Sequence, residues 1–266
     1  MKALAVAAAL LALGCAAPAA AQERDYCPTR PGLGTPACTI APGKVSIETA
    51  IADWERDDSA DQRSDTILFA DTIVRVGLSD HVEGIVGMTP VGIARVRDKM
   101  TGSIDRRTAA GDAYLGLKAN LSNPGGDGFS VALQPFATLP VGRSPIGAGD
   151  WGAGLLAPMT YDLPGGVNLQ FTPEIDAAVN EDGNGRHLAY SAVAGVGVPI
   201  TKKLSATGEV QALRDRDPAG HATQTFAALS LAWMANDDCQ LDVGAVAGLN
   251  HDTPDARLYA GVSRRF

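Results

Sequence analysis

His187 and Ser191 share one face of an alternating run, four residues apart. A histidine and a serine are the parts of an acyl-transfer site. That spacing along a strand is too wide for the base–nucleophile hydrogen bond, which needs about 2.6–3.2 Å. The sequence is therefore read without a catalytic residue, although twelve-strand barrels can be lipid-active enzymes. Three of the four histidines, His187, His221 and His251, fall near one set of loops, with His81 elsewhere. Exposed loop histidines are read as solvated side chains, not metal ligands. The run Asn180-Glu181-Asp182-Gly183-Asn184-Gly185 lacks the alternating carboxylates and terminal Glu of a calcium loop, and reads as a hairpin tip. No metal and no cofactor is expected.

The more consistent chemistry lies in charges on the polar register of alternating segments. Glu48, Asp71, Glu83, Glu174, Asp176, Glu209 and Asp242 are acidic, and Arg75, Lys118, Arg257 and Arg265 are basic. If the segments close into a barrel, these side chains line its lumen. Charges in so narrow a space must pair or stay hydrated. They can form a polar conduit or binding cavity, or a salt-bridge network that fills the barrel; the two readings stand level.

Twelve alternating segments position these residues, over about 44–54, 65–78, 82–97, 111–121, 128–139, 150–162, 167–179, 187–199, 204–214, 224–234, 239–250 and 256–266. In 167–179, Leu169, Phe171, Ile175 and Val179 alternate with Asn168, Gln170, Thr172, Glu174 and Asp176. Period two with one apolar face predicts strands with lipid on one side and a lumen on the other. Trp151, Tyr161, Tyr190 and Trp233 fit interfacial girdles on the apolar register. Short connections alternate with longer, polar ones: 55–64, 98–110, 140–149, 180–186, 215–223 and 251–255. That asymmetry predicts an all-β, transmembrane antiparallel β-barrel of about twelve strands, with both termini on the short-turn side. Pro90, Pro135, Pro158, Pro173 and Pro199 fall inside or at the ends of these strands and argue against regular pairing.

The chain has 266 residues and a net charge of −8, with 30 glycines. Its acidic balance argues against a nucleic-acid partner. Residues 1–21 read as a cleaved signal peptide: Lys2, an apolar stretch too short to span a bilayer, then Ala19-Ala20-Ala21. A lipoprotein anchor at Cys15 is the weaker alternative. Residues 22–43 form a short, irregular Pro/Gly-rich segment, and 44–266 the barrel. Cys27 and Cys38 bracket part of that segment in a chain bound for an oxidising compartment, so a disulfide is preferred to two free thiols. The segment can enter the lumen as a plug or lie disordered in the periplasm; the second is the expectation. The alternating final strand ending in Phe266 is how outer-membrane barrels end, and would engage the barrel-assembly machinery.

At Phe136-Ala137-Thr138-Leu139-Pro140-Val141-Gly142, followed by Gly147-Ala148-Gly149-Asp150-Trp151-Gly152-Ala153-Gly154, the chain resembles the outer-membrane proteins grouped under the meta-pathway of phenol degradation, often labelled transporters. The resemblance covers about Val45 to Phe266. It implies an outer-membrane barrel in a Gram-negative envelope, surrounded by lipid, taking up aromatic or other small hydrophobic solutes. It carries no catalytic or ligand residues across. The expected function is a channel or transporter for such compounds. A closed structural or surface-interaction barrel is the alternative, and a lipid-active enzyme a remoter one.

Overall fold

The computed structural model describes residues 24–266. The expected signal peptide and the Cys15 alternative lie outside the described residues. Fifteen strands form one antiparallel sheet: β1 (Val45–Asp58), β2 (Gln62–Gly77), β3 (Val82–Met88), β4 (Val91–Asp98), β5 (Ile104–Ala109), β6 (Ala113–Ser122), β7 (Phe129–Leu139), β8 (Gly152–Leu156), β9 (Met159–Leu163), β10 (Val167–Val179), β11 (Arg186–Pro199), β12 (Leu204–Asp217), β13 (Gly220–Asn236), β14 (Cys239–Gly248) and β15 (Ala256–Arg265). The sheet closes because β1 pairs with both β2 and β15. At the seam, the backbone N–H of Val45 and of Phe266 each donate to the other's carbonyl.

The barrel has twelve staves, as the alternation predicts, although fifteen strands compose them. Two staves are interrupted at prolines. The segment read as 82–97 breaks between Met88 and Val91, around Pro90, and both halves still pair with β2. The segment read as 150–162 breaks at Ala157-Pro158, leaving β8 and β9 each between β7 and β10. Proline has no N–H to give the ladder, so the strand yields locally while its neighbours run through. The wall is kept continuous there by Ala157 N–H donating to Pro173 O, and Ala132 N–H to Pro158 O.

Three of the six expected long loops are in large part strand, while 140–149, 180–185 and 251–255 remain connections. The connection read as 215–223 is a tight turn at Pro218-Ala219, and that read as 55–64 shrinks to residues 59–61. The stretch 98–110 contains β5, paired to β4. Backbone polar groups satisfied in a ladder need no other partner, so these hairpins continue past the membrane band.

The alternation sorts faces as read. Leu117, Leu169, Phe171, Ile175, Leu229 and Val243 stand exposed on the outside of the wall. Trp151, Tyr161, Tyr190 and Trp233 are also exposed on that face. The inside is polar, and its largest fully buried side chains include Arg75, Lys118, Glu48 and Glu83. This is a membrane protein's inversion of a soluble core.

Candidate functional site

The inside of the barrel is not empty in the half nearest the termini. Residues 24–43 are a loop inside it, correcting the expectation that they lie disordered outside. From Arg24, paired to Asp80 at 2.9 Å, the chain rises past Glu48 and Asp242 to Glu209. It turns at Leu33-Gly34-Thr35 and returns past Lys118 and Glu83 to β1. Cys27 and Cys38 are joined by a disulfide across the neck of this loop, with Cα atoms 6.5 Å apart.

Wall side chains hold the loop chiefly by its backbone. Glu48 Oε2 accepts from the N–H of Thr29 at 2.7 Å and of Arg30 at 3.0 Å. Glu209 accepts from the N–H of Leu33 and of Gly34, both at 2.8 Å. Glu83 Oε2 accepts from Ile40 N–H at 2.7 Å. In the opposite sense, Arg75 donates to Cys27 O at 2.7 Å, Lys118 to Pro36 O at 3.0 Å, Asn120 to Ala37 O at 2.8 Å, and Gln240 to Arg30 O at 2.9 Å. A segment poor in regular structure thus finds partners for its polar groups in the wall. Two glycines permit the close approach: a Cβ at position 32 or 34 would stand 2.9 or 3.3 Å from Glu209 Oε1. Leu33 supplies the apolar contact, against Ala228, Val246 and Tyr259.

Charge is balanced around the neck. Arg75, with no exposed surface, pairs with Glu48 at 3.0 Å and Glu83 at 2.9 Å, and Lys118 pairs with Glu83 at 3.3 Å. Arg30 of the loop pairs with Asp242 at 2.8 Å. Buried charges persist only when paired and hydrogen-bonded in this way. Tyr26, outside the strands, bonds Ser46 at 2.7 Å, and burial pushes its phenol up.

The sequence-read charges therefore divide. Glu48, Arg75, Glu83, Lys118, Glu209 and Asp242 contact the loop. Arg257 pairs instead with Asp53, and Asp71 accepts from Thr89 at 2.7 Å, while Arg265 pairs with Asp238 at 2.7 Å near the termini and also donates to Arg24 O, where the loop begins. Glu174 and Asp176 stand beyond the loop tip, away from the termini. Sequence reasoning missed Asp53 and Tyr26, while Asn120 was read on the polar, lumen-facing register of 111–121 and lies there. Strict alternation from Glu48 would turn Asp53 outward; a bulge between Ala50 and Ala52 shifts the register of β1 and brings it inside.

His187 and Ser191 do not meet. His187 lies 2.8 Å from Asp215 and 3.3 Å from Asp217, while Ser191 donates to Glu174. Asn180 to Gly185 is a turn closed by Gly183 N–H to Asn180 O at 2.8 Å. No metal-ligand group forms among the described residues.

A closed barrel with an apolar outside, a polar interior and an internal N-terminal loop defines a transmembrane β-barrel. Residues 29–266 match the family described as "Putative MetA-pathway of phenol degradation", and the chain belongs to that family. Among solved structures it is similar to an outer-membrane channel from Pseudomonas putida F1, with 13% identity, TM-score 0.67, and 92% of this chain and 98% of that one covered. It is also similar to the KdgM porin, with 8% identity, TM-score 0.53, and coverage of 83% and 99%. At these identities the likeness is one of fold. No curated protein sequence matches the chain.

Proposed function

We propose that the protein is an outer-membrane transporter for small hydrophobic solutes, aromatic compounds among them, gated by its own N-terminal loop. It reaches the outer membrane through a cleaved signal over residues 1–21, and its last strand, ending at Phe266, engages the assembly machinery. The observation that carries the gating is how the loop is held. Its contacts are mostly hydrogen bonds between loop backbone and wall carboxylates, amides and cations, with the ion pairs Arg30–Asp242 and Arg24–Asp80 beside them. Each such bond contributes about 0.5–3 kcal/mol net, so the loop can shift without dismantling the wall. Hydrophobic cargo suits an interior with no wide aqueous path at its terminal half. The family's description, which names phenol degradation, supports an aromatic solute.

The test is uptake of a labelled aromatic hydrocarbon by cells that carry or lack the chain, with sucrose as control. Faster aromatic uptake with unchanged sucrose entry is expected. Equal uptake in both strains contradicts the proposal. The same loop supports a second reading, a permanently closed structural barrel. That reading requires no uptake and no ionic current even when the loop's anchors are removed.

A further inference from the structure

Beyond the loop tip, one patch of the wall carries more acceptors than donors. Glu174 and Asp176 point inward from β10, and neither has a basic partner within 4 Å among the described residues. The bases nearest in register, Arg186 and His187, are committed to Asp150 and to Asp215 and Asp217. Glu174 receives one long bond, from Ser191 at 3.4 Å, and Asp176 Oδ1 is buried with none.

A second unpaired acceptor lies on the same inward face, two strands away. Gln134, 5% exposed, gives its Nε2 to the Tyr114 hydroxyl at 2.8 Å, and its Oε1 is buried without a partner. Gln134 and Glu174 flank the same wall residue, Leu156, from the two neighbouring strands. One step further from the termini, Phe136 and Asp176 flank Gly154 in the same way. Both Asp176 Oδ1 and the Phe136 ring occupy the space a side chain at Gly154 would fill. Phe136 is stacked on Tyr114, with ring centres 5.1 Å apart.

We infer that this patch binds an organic ammonium ion with an aromatic or aliphatic body. Two carboxylates and a carbonyl oxygen offer acceptors in excess, and an ammonium brings three donors and no acceptor. Two neighbouring carboxylates without a basic partner are costly in a half-buried place, and a bound cation offsets that cost. The adjoining aromatic face decides the class: it attracts a cation that carries its own apolar surface, whereas a small metal ion would demand more oxygen ligands. The site lies one inward residue beyond the loop's contact on β10, where Thr172 is bonded to Thr35. The inference deepens the transporter reading by adding amines to its solutes, and rests on it for physiological meaning. Binding itself is measurable without transport.

The experiment is calorimetric titration of the purified full barrel in detergent at pH 7.5 with benzylammonium, its neutral counterpart benzyl alcohol, and calcium chloride. Benzylammonium is expected to bind one per barrel, at least tenfold more tightly than benzyl alcohol. The Glu174→Gln/Asp176→Asn variant is expected to lose at least tenfold, and Gln134→Leu, which keeps both charges, severalfold. Unchanged gel mobility before and after boiling, relative to the parent protein, reports that each variant is folded. The inference is overturned by absent or equal binding of benzylammonium and benzyl alcohol to the parent protein, a comparison that needs no variant. Undiminished binding by the folded double variant also overturns it, as does calcium binding that benzylammonium does not displace. Failure here leaves the uptake test of the transporter intact, and failed uptake leaves this binding measurable.

Discussion

The Arg75 guanidinium, buried in the barrel wall, donates to the carbonyl oxygen of Cys27 at 2.7 Å and thereby grips one side of the disulfide at the loop's neck. Its other nitrogen reaches Cys38 O at 3.4 Å, so one side chain of β2 touches both half-cystines. The same guanidinium neutralises Glu48 and Glu83, which themselves accept from loop amides. Wall charge and loop position are one network.

Removing Arg75 should therefore be more damaging than removing most surface charges. Arg75→Met leaves two buried carboxylates without their shared cation, a change that costs about 3–5 kcal/mol. The temperature at which the barrel loses its unheated gel mobility should fall, and the loop should loosen with it. An unchanged transition temperature would mean that the network is hydrated rather than buried.

Glu209 anchors the loop tip and also accepts from Gln170 of the wall at 2.8 Å. Glu209→Ala deletes the acceptor for two backbone N–H groups, about 1–3 kcal/mol of loop attachment, without touching a ladder bond. Ionic current through planar bilayers should rise above that of the parent protein, while gel mobility stays unchanged. Val210→Ala, one residue along on the lipid face, should leave the current unaltered.

The Cys27–Cys38 bridge should act on the loop alone. By the chain-entropy account, a loop this short contributes roughly 2–3 kcal/mol when closed. Paired Cys27→Ser/Cys38→Ser substitution should speed amide exchange in 24–43 and leave exchange in β10–β14 unchanged. Equal acceleration in those strands would make the disulfide a brace for the whole barrel.

The outside of the wall makes its own prediction. Leu229 is exposed at mid-strand between small neighbours, Gly208 and Ala245. Leu229→Arg places a charge in the hydrocarbon band at about 2–4 kcal/mol. Reduced folding yield into bilayers is expected; an unaffected yield would place that strand face outside the membrane.

Two acidic anchors lie in the far connections. Asp150 accepts from Trp151 N–H and pairs with Arg186, and these hold its carboxyl below the ordinary 3.8. Asp252 is held low by the N–H of Thr223. A lowered carboxyl stabilises above its unfolded-state pKa, and the contribution is lost as pH falls through the folded one. Limited proteolysis of residues 140–151 and 249–255 should be constant from pH 7 to 5 and increase only in strong acid. An increase already at pH 6 would assign the anchoring to other groups.

The barrel was legible in the sequence because period two is a local property. Leu169, Phe171 and Ile175 report their face without knowledge of their neighbours. Pro90 and Pro158 were visible as faults, yet only the strands beside them decide that the wall runs on through Pro173 O and Pro158 O. The loop was illegible for a different reason. Leu33 and Gly34 present backbone N–H groups to Glu209, roughly 175 residues away, and a backbone amide looks the same in every sequence. The hairpin extensions at Pro218-Ala219 were hidden because polar residues on a strand beyond the membrane resemble a loop.

Residues 24–43 fill the terminal half of the lumen, held there by their backbone. Hydrogen–deuterium exchange of the folded barrel in detergent measures this directly. The N–H groups of Thr29, Arg30, Leu33, Gly34 and Ile40, each bonded to a wall carboxylate, should be protected well beyond the rates of an unstructured chain. Complete exchange of this segment within seconds, while β10–β14 stay protected, would contradict it.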